Sequence, residues 1–177
     1  GNIMEPGQTT DDETTAMFKH HYKVVTSENS MKPGNISTAK GVYNFEQADL
    51  LVDWAEKNDI LVHGHTLVWH SQSAPWLTTK EDGTPLTRAE AKANMKEYID
   101  KVAGHYAGRL ISWDVVNEAF QTSVPDVPSN WKDVLRKDEN PEGSPWYQAY
   151  TNGADISKGE DGSDYLYDAF VFTRLAD

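Results

Sequence analysis

Apolar positions along the chain follow two periods. Lys23-Val24-Val25-Thr26, Ile60 to His70 and Leu110 to Glu118 are short runs dense in branched and aromatic residues, the composition of buried strands. Ile3-Met4 reads as the end of one more. Between these runs the apolar residues recur every three to four positions, as on one face of a helix. Thr10 with Glu13 forms a capping box for a helix over Asp11 to His21, with Ala16 and Met17 on its apolar side. Asn44, with Gln47, caps a second helix whose face carries Phe45, Ala48, Leu51, Val52 and Ala55. Thr87 with Glu90 caps a third, with Ala91, Met95, Tyr98, Ile99, Val102 and Tyr106 on one side. Leu166, Ala169, Phe170 and Thr173 mark a last helix over Tyr165 to Leu175.

Two stretches break the periodicity. Pro33-Gly34 ends regular structure after the second strand. From Phe120 to about Asp164 the chain is rich in Pro, Gly, Asn and Asp, with room for one short helix at Asn130 to Arg136. Strand and helix otherwise alternate strictly, which predicts an α/β fold with a parallel sheet and right-handed crossovers. Four such units fit half of a (β/α)8 barrel or an open doubly wound sheet. No Gly-rich loop follows any strand, which leaves dinucleotide binding without support.

Composition narrows the partners. A formal charge of −12 argues against nucleic acid and anionic lipid, which bind through basic patches. Neutral ligands such as sugars remain, and 6 Trp and 8 Tyr offer flat faces on which sugar rings can stack. The absence of cysteine removes disulfides and thiolate metal sites. No apolar run approaches the roughly 20 residues of a membrane span. The first residues, Gly1-Asn-Ile-Met-Glu-Pro-Gly, do not read as a signal peptide.

Candidate chemistry gathers at the carboxyl ends of the predicted strands, where parallel α/β folds place their sites. The apolar run Ile111 to Val116 ends in Asn117 and Glu118. Alternation sends that pair to opposite faces, so both reach one site only if the strand ends or bulges there. A Glu half-buried beside aromatic rings suits a general acid. In the histidine strand, parity groups His63, His65, Leu67 and Trp69 on one face. These histidines are read as buried and hydrogen-bonded, as ligand-facing (His65 with Trp69), or as metal ligands (His63 with His65). The last reading lacks a third ligand nearby. Glu28-Asn29-Ser30-Met31-Lys32 supplies donors and acceptors for hydroxyl groups directly after the second strand.

Four segments carry a resemblance to a known family. They are Thr26-Ser-Glu-Asn-Ser-Met-Lys32, Gly41-Val-Tyr-Asn-Phe-Glu-Gln-Ala-Asp49, Gly64-His-Thr-Leu-Val-Trp-His-Ser-Gln72 with Pro75-Trp76, and Trp113-Asp-Val-Val-Asn-Glu-Ala119. In words, order and spacing they resemble glycoside hydrolase family 10, the endo-β-1,4-xylanases built on a (β/α)8 TIM barrel. The resemblance implies that residues 1–177 are the first half of a catalytic domain, about four βα units, with a long irregular insertion over about 121–164. It implies a retaining hydrolase of internal β-1,4-xylosidic bonds in xylan, with no cofactor and no metal. Glu118 would be the general acid/base, and Glu28, Asn29, Lys32, His65, Trp69, Gln72 and Asn117 would bind xylan or xylo-oligosaccharide. Ser30 departs from an often acidic position and His63 from a frequent Arg. The family's nucleophile belongs to a later strand, so this chain would carry only the acid/base half. Its unpaired barrel edges would favour self-association. A polymeric substrate implies an extracellular or periplasmic location. The alternative is a sugar-binding or interaction fragment that keeps the cleft without turnover.

Overall fold

The computed structural model describes residues 1–121, 129–137 and 143–177. Strands β1 (Asn2–Met4), β2 (Val24–Ser27), β3 (Leu61–Trp69) and β4 (Ser112–Asn117) form one parallel sheet in chain order. Helices α1 (Asp12–His21), α2 (Pro33–Ile36), α3 (Glu46–Lys57), α4 (Arg88–His105), α5 (Pro145–Thr151) and α6 (Asp164–Ala176) occupy the connections and the end of the chain. Among the described residues, β1 and β4 each pair on one side only, so both edges of the sheet are open.

Helix α4 follows its sequence pattern closely. Thr87 Oγ1 accepts from Glu90 N at 3.4 Å and Glu90 Oε2 accepts from Thr87 N at 2.9 Å, the reciprocal capping box. All six residues of its predicted apolar face are buried. Helix α3 buries Ala48, Leu51, Val52 and Ala55, while Phe45 takes the N-cap and Asn44 Oδ1 holds Glu46 N at 2.9 Å.

Helix α1 departs from expectation. Its cap is Asp11, whose side chain accepts from Thr14 N at 3.1 Å, because Pro6–Thr10 forms a 3-10 turn in which Thr10 donates to Gly7 O. The core side carries Thr15 and Phe18; Ala16 and Met17 face solvent. Phe18 sets this phase by packing on Tyr22 and Trp54, with ring centroids 5.1 and 5.9 Å away.

Both stretches read as irregular contain helix. Pro33 opens α2 rather than ending structure, as suits a residue without an amide proton at N1. Gly34 N donates to Gln72 O at 2.9 Å, and a Cβ on Gly34 would stand 2.9 Å from that oxygen. Within 121–164, α5 starts from a Ser144 cap with Pro145 behind it and buries Trp146, Ala149 and Tyr150. A 3-10 turn at Trp131–Val134 replaces the short helix expected at Asn130 to Arg136. The rest of that insertion, residues 122–128 and 138–142, lies outside the described residues.

Register makes the sheet two-faced. Residues abreast in neighbouring strands share a face. The row Val25–Val62 is covered by helices, at 0% and 1% exposed. The next row, Ile3, Thr26, His63 and Ser112, lies on the opposite face and is half-buried to exposed. Gly64 and Trp113 are abreast, and a Cβ on Gly64 would fall 2.2 Å from the indole Cε3. Gly64→Ala is therefore expected to destabilise the fold by about 1–3 kcal/mol through overpacking. Urea unfolding reads this as a lower midpoint, and an unchanged midpoint would contradict the packing described.

Candidate active site

Strands β3 and β4 stay in register from His63–Ser112 to His65–Asp114, then resume at Val68–Val116. Here β3 spends one residue more than β4, a bulge that breaks the parity expected for His63, His65, Leu67 and Trp69. His63 and His65 remain on the open face, whereas Leu67 turns into the core at 0% exposure. The His65–Thr66 peptide is cis, and Thr66 Oγ1 donates to the Asp114 carbonyl at 2.7 Å across the irregularity. Beyond it Trp69 stands abreast of Asn117.

Glu118 ends β4 with φ of +51°, in the left-handed region, so the strand breaks off at the carboxylate. That break removes the constraint that would drive Asn117 and Glu118 to opposite faces. Trp69 Nε1 donates to Glu118 Oε2 at 2.9 Å, and His70 Nδ1 lies 3.9 Å from the same oxygen. The Glu118 side chain is 47% exposed, about half-buried, but the aromatic group beside it does not meet it with an apolar face. An indole N–H addresses it instead.

The other site residues connect to Glu118 through Trp69. Lys32 Nζ sits 5.2 Å from the centroid of the Trp69 ring, and donates to Asn29 Oδ1 at 2.9 Å and Gln72 Oε1 at 2.8 Å. An ammonium has three protons, so one remains for a ligand. Gln72 is itself at φ of +45°, held by the bond from Gly34 to its carbonyl. His65 also neighbours Trp69, ring centroids 6.1 Å apart. Asn29, Lys32, Gln72, His65, Trp69 and Glu118 thus form one continuous set. Glu28 is exposed on the same rim with no side-chain partner among the described residues, and Asn117 adjoins the set by register alone.

Asp114 is the group that sequence reasoning passed over. Its Oδ2 receives His65 Nδ1 at 2.9 Å and His63 Nε2 at 3.1 Å, and His63 Nδ1 meets Ser112 Oγ at 2.7 Å. Burial pushes the Asp114 carboxyl up, but the hydrogen bonds from His65 and His63 together outweigh it and hold it below the ordinary range. The two histidines of the metal reading therefore converge on a carboxylate, and no metal-binding cluster of three such groups occurs among the described residues. A charged residue inside an apolar strand was the available signal.

Arg136 and His70 were also missed. Arg136, 7% exposed, donates from Nε to the Glu118 carbonyl at 2.9 Å, and its own N–H reaches Ala119 O at 3.0 Å. Gln121 N to Val134 O at 2.8 Å and an antiparallel Phe120–Leu135 bridge complete the tie. Ser144, Trp146 and Tyr165 line the same narrow gap as Val68 to His70 and Val116 to Glu118. The described part of the segment read as an irregular insertion thus backs the carboxylate.

The family model for glycosyl hydrolase family 10 matches residues 1–177, the whole chain. The chain belongs to glycosyl hydrolase family 10. Its fold is accordingly that of a (β/α)8 barrel, of which four parallel strands are present. It is 37% identical to endo-1,4-beta-xylanase A of Thermotoga neapolitana over 92% of this chain and 14% of that protein. A beta-1,4-xylanase of Dictyoglomus thermophilum is 40% identical over 91% of this chain and 37% of its own length. Among solved structures, a psychrophilic family 10 endo-beta-1,4-xylanase superposes with a TM-score of 0.83 at 32% identity, covering 100% of this chain and 48% of that one. The family 10 structure from Paenibacillus barcinonensis gives a TM-score of 0.81 at 31% identity, over 47% of its length. The chain spans about half the length of these solved relatives and less of the two sequence relatives.

Folded Asp114 titrates below its unfolded value, so its contribution to stability is complete above about pH 4 and fades as pH falls through the lower folded value. Melting temperatures on acidification should therefore drop more steeply for the native chain than for Asp114→Asn. Parallel acid limbs would contradict the double histidine contact.

Proposed function

We propose that this chain carries the acid/base half of a retaining glycosidase site that hydrolyses internal β-1,4-xylosidic bonds in xylan. The observation that carries the reading is Glu118, set at the end of β4 with Oε2 on the Trp69 indole and joined through Trp69 to Lys32, Asn29 and Gln72. A proton donor beside a run of amide and ammonium groups suits a chain of hydroxylated rings. The xylanase names of its relatives agree with that substrate.

In this reading Lys32, Asn29, Gln72 and Glu28 hold hydroxyls on the glycone side, and Trp69 offers an aromatic wall. Asn117 holds the ring next to the cleaved bond. Glu118 protonates the departing glycosidic oxygen, and a second carboxylate, about 5–5.5 Å from Glu118, attacks the anomeric carbon. Glu118, now ionised, then takes a proton from the water that releases the sugar. By the family resemblance the second carboxylate lies on a later strand, so the activity belongs to the full chain that includes it. The open edges of β1 and β4 would pair with that remaining sheet or, in its absence, with a second copy.

The test is Glu118→Gln in the full natural chain. Turnover of xylan should fall by about 10²–10⁴-fold, the range for loss of a general acid. A dinitrophenyl xylobioside, whose leaving group needs no proton, should show a much smaller loss in its first step. Equal activity of the variant on xylan would remove Glu118 from the mechanism. Binding of xylo-oligosaccharides by the native chain without any turnover would favour the non-catalytic module.

A further inference from the structure

Of the asparagines in the chain, only Asn152 is followed directly by glycine, Gly153. That order sets a carboxamide beside the least hindered backbone nitrogen a chain can offer, since glycine has no Cβ. Asn152 is the C-cap of α5, and residues 151–153 are all exposed. The Gly153 N–H has no hydrogen-bond partner among the described residues, and a Cβ built on Gly153 would meet nothing within 4 Å. This nitrogen is unblocked and free to react.

The same asparagine joins two segments that are distant in the chain. Its Nδ2 donates to Pro85 O and to Leu86 O, each at 3.2 Å, and its backbone carbonyl accepts from Arg88 N at 2.8 Å. Two carbonyl oxygens face the side chain, so only the NH2 end of the amide fits there. These bonds clasp the end of α5 to the loop that leads into α4. Helix α5 starts from the Ser144 cap and carries Trp146, and both residues line the gap behind Glu118. A carboxylate at position 152 would face the two carbonyl oxygens with no proton to give them.

We propose that Asn152 is a covalent modification site, where spontaneous deamidation through Gly153 unclasps α5 from the loop before α4. The Gly153 nitrogen loses its proton to solvent base and bonds to Asn152 Cγ. The Cγ–Nδ2 bond breaks, and the amide nitrogen leaves as ammonia with a proton from solvent. Water then opens the cyclic imide at one of its two carbonyl carbons. Breaking the new N–Cγ bond leaves an aspartate, and breaking the original peptide bond leaves an isoaspartate. The sum is one water consumed and one ammonia released, with no change of oxidation state. Aspartate puts an acceptor where two donated bonds stood. Isoaspartate routes the backbone through the former side chain and turns the carbonyl that held Arg88 N into a free carboxylate. Both products lose the bonds to Pro85 and Leu86. Because those bonds hold the amide in place, ring closure proceeds through local opening of this exposed turn.

The experiment incubates the full natural chain at mildly alkaline pH and follows every asparagine by peptide mass mapping, with isoaspartate scored by enzymatic methylation. Position 152 should convert to aspartate and isoaspartate before any other asparagine. Conversion of another asparagine while Asn152 stays intact would overturn the assignment, and this readout holds whether or not a variant folds. Two variants test the consequence. Asn152→Asp should raise the ratio of unfolded to folded chain about 5-fold, the scale of two exposed hydrogen bonds, read as a lower urea midpoint. Asn152→Gln keeps the amide but moves its carbon one bond further from the Gly153 nitrogen. Its melting temperature should hold through the incubation while that of the parent falls. An unchanged midpoint for Asn152→Asp would remove the clasp. Equal decline of Asn152→Gln and the parent would place the loss of stability elsewhere in the chain.

Discussion

The site depends on one irregularity, the extra residue that β3 spends between His65 and Val68. Regular pleating would keep His65, Leu67 and Trp69 on one face. The bulge lets Leu67 enter the core while His65 stays on Asp114 and Trp69 reaches Glu118. Backbone groups taken off the ladder at such a place need other partners. Thr66 Oγ1 supplies one by donating to the Asp114 carbonyl. The indole N–H, the imidazole and the ammonium of Lys32 then meet around a single ring, and Glu118 accepts from it.

The open face of the sheet is built around carboxylates with assigned donors. Asp114 takes two imidazoles, and one of those, His65, abuts the Trp69 that holds Glu118. Asp114 within β4 and Glu118 at its end thereby have different hydrogen-bond donors. Asp114 accepts from two imidazoles and Glu118 from an indole N–H, while the two side chains are almost equally exposed, at 43% and 47%.

Glu118 also requires support from behind. A non-glycine residue in the left-handed region costs on the order of 1–2 kcal/mol, so the surrounding structure must hold it there. Arg136 on its carbonyl, the Phe120–Leu135 bridge, and the packing of Trp146 and Tyr165 provide that hold. The irregular stretch after β4 is in this sense part of the site. The start of α5 within it, Ser144-Pro145, has the signature of a helix cap, but Pro and Gly around it obscure the signal.

Much of this was legible in the residues. The period of α3 and α4, the capping box at Thr87 and the four strands follow from local sterics and from which side chains water excludes, and these depend on neighbours a few positions apart. The type and order of elements therefore need only the sequence, and so does the clustering of Glu28, Asn29, Lys32, Asn117 and Glu118 at strand ends. The phase of α1 was misread because Phe18 answers to Trp54, a residue on another helix. The parity of β3 failed for the same reason: register is a relation between two strands, and its one-residue slip is invisible within either. The clasp of Asp114 by two histidines, the hold of Arg136 on Glu118 and the tie of Asn152 to Pro85 and Leu86 join residues far apart in the chain. Local forces chose the elements, and only their packing decided which charges would meet.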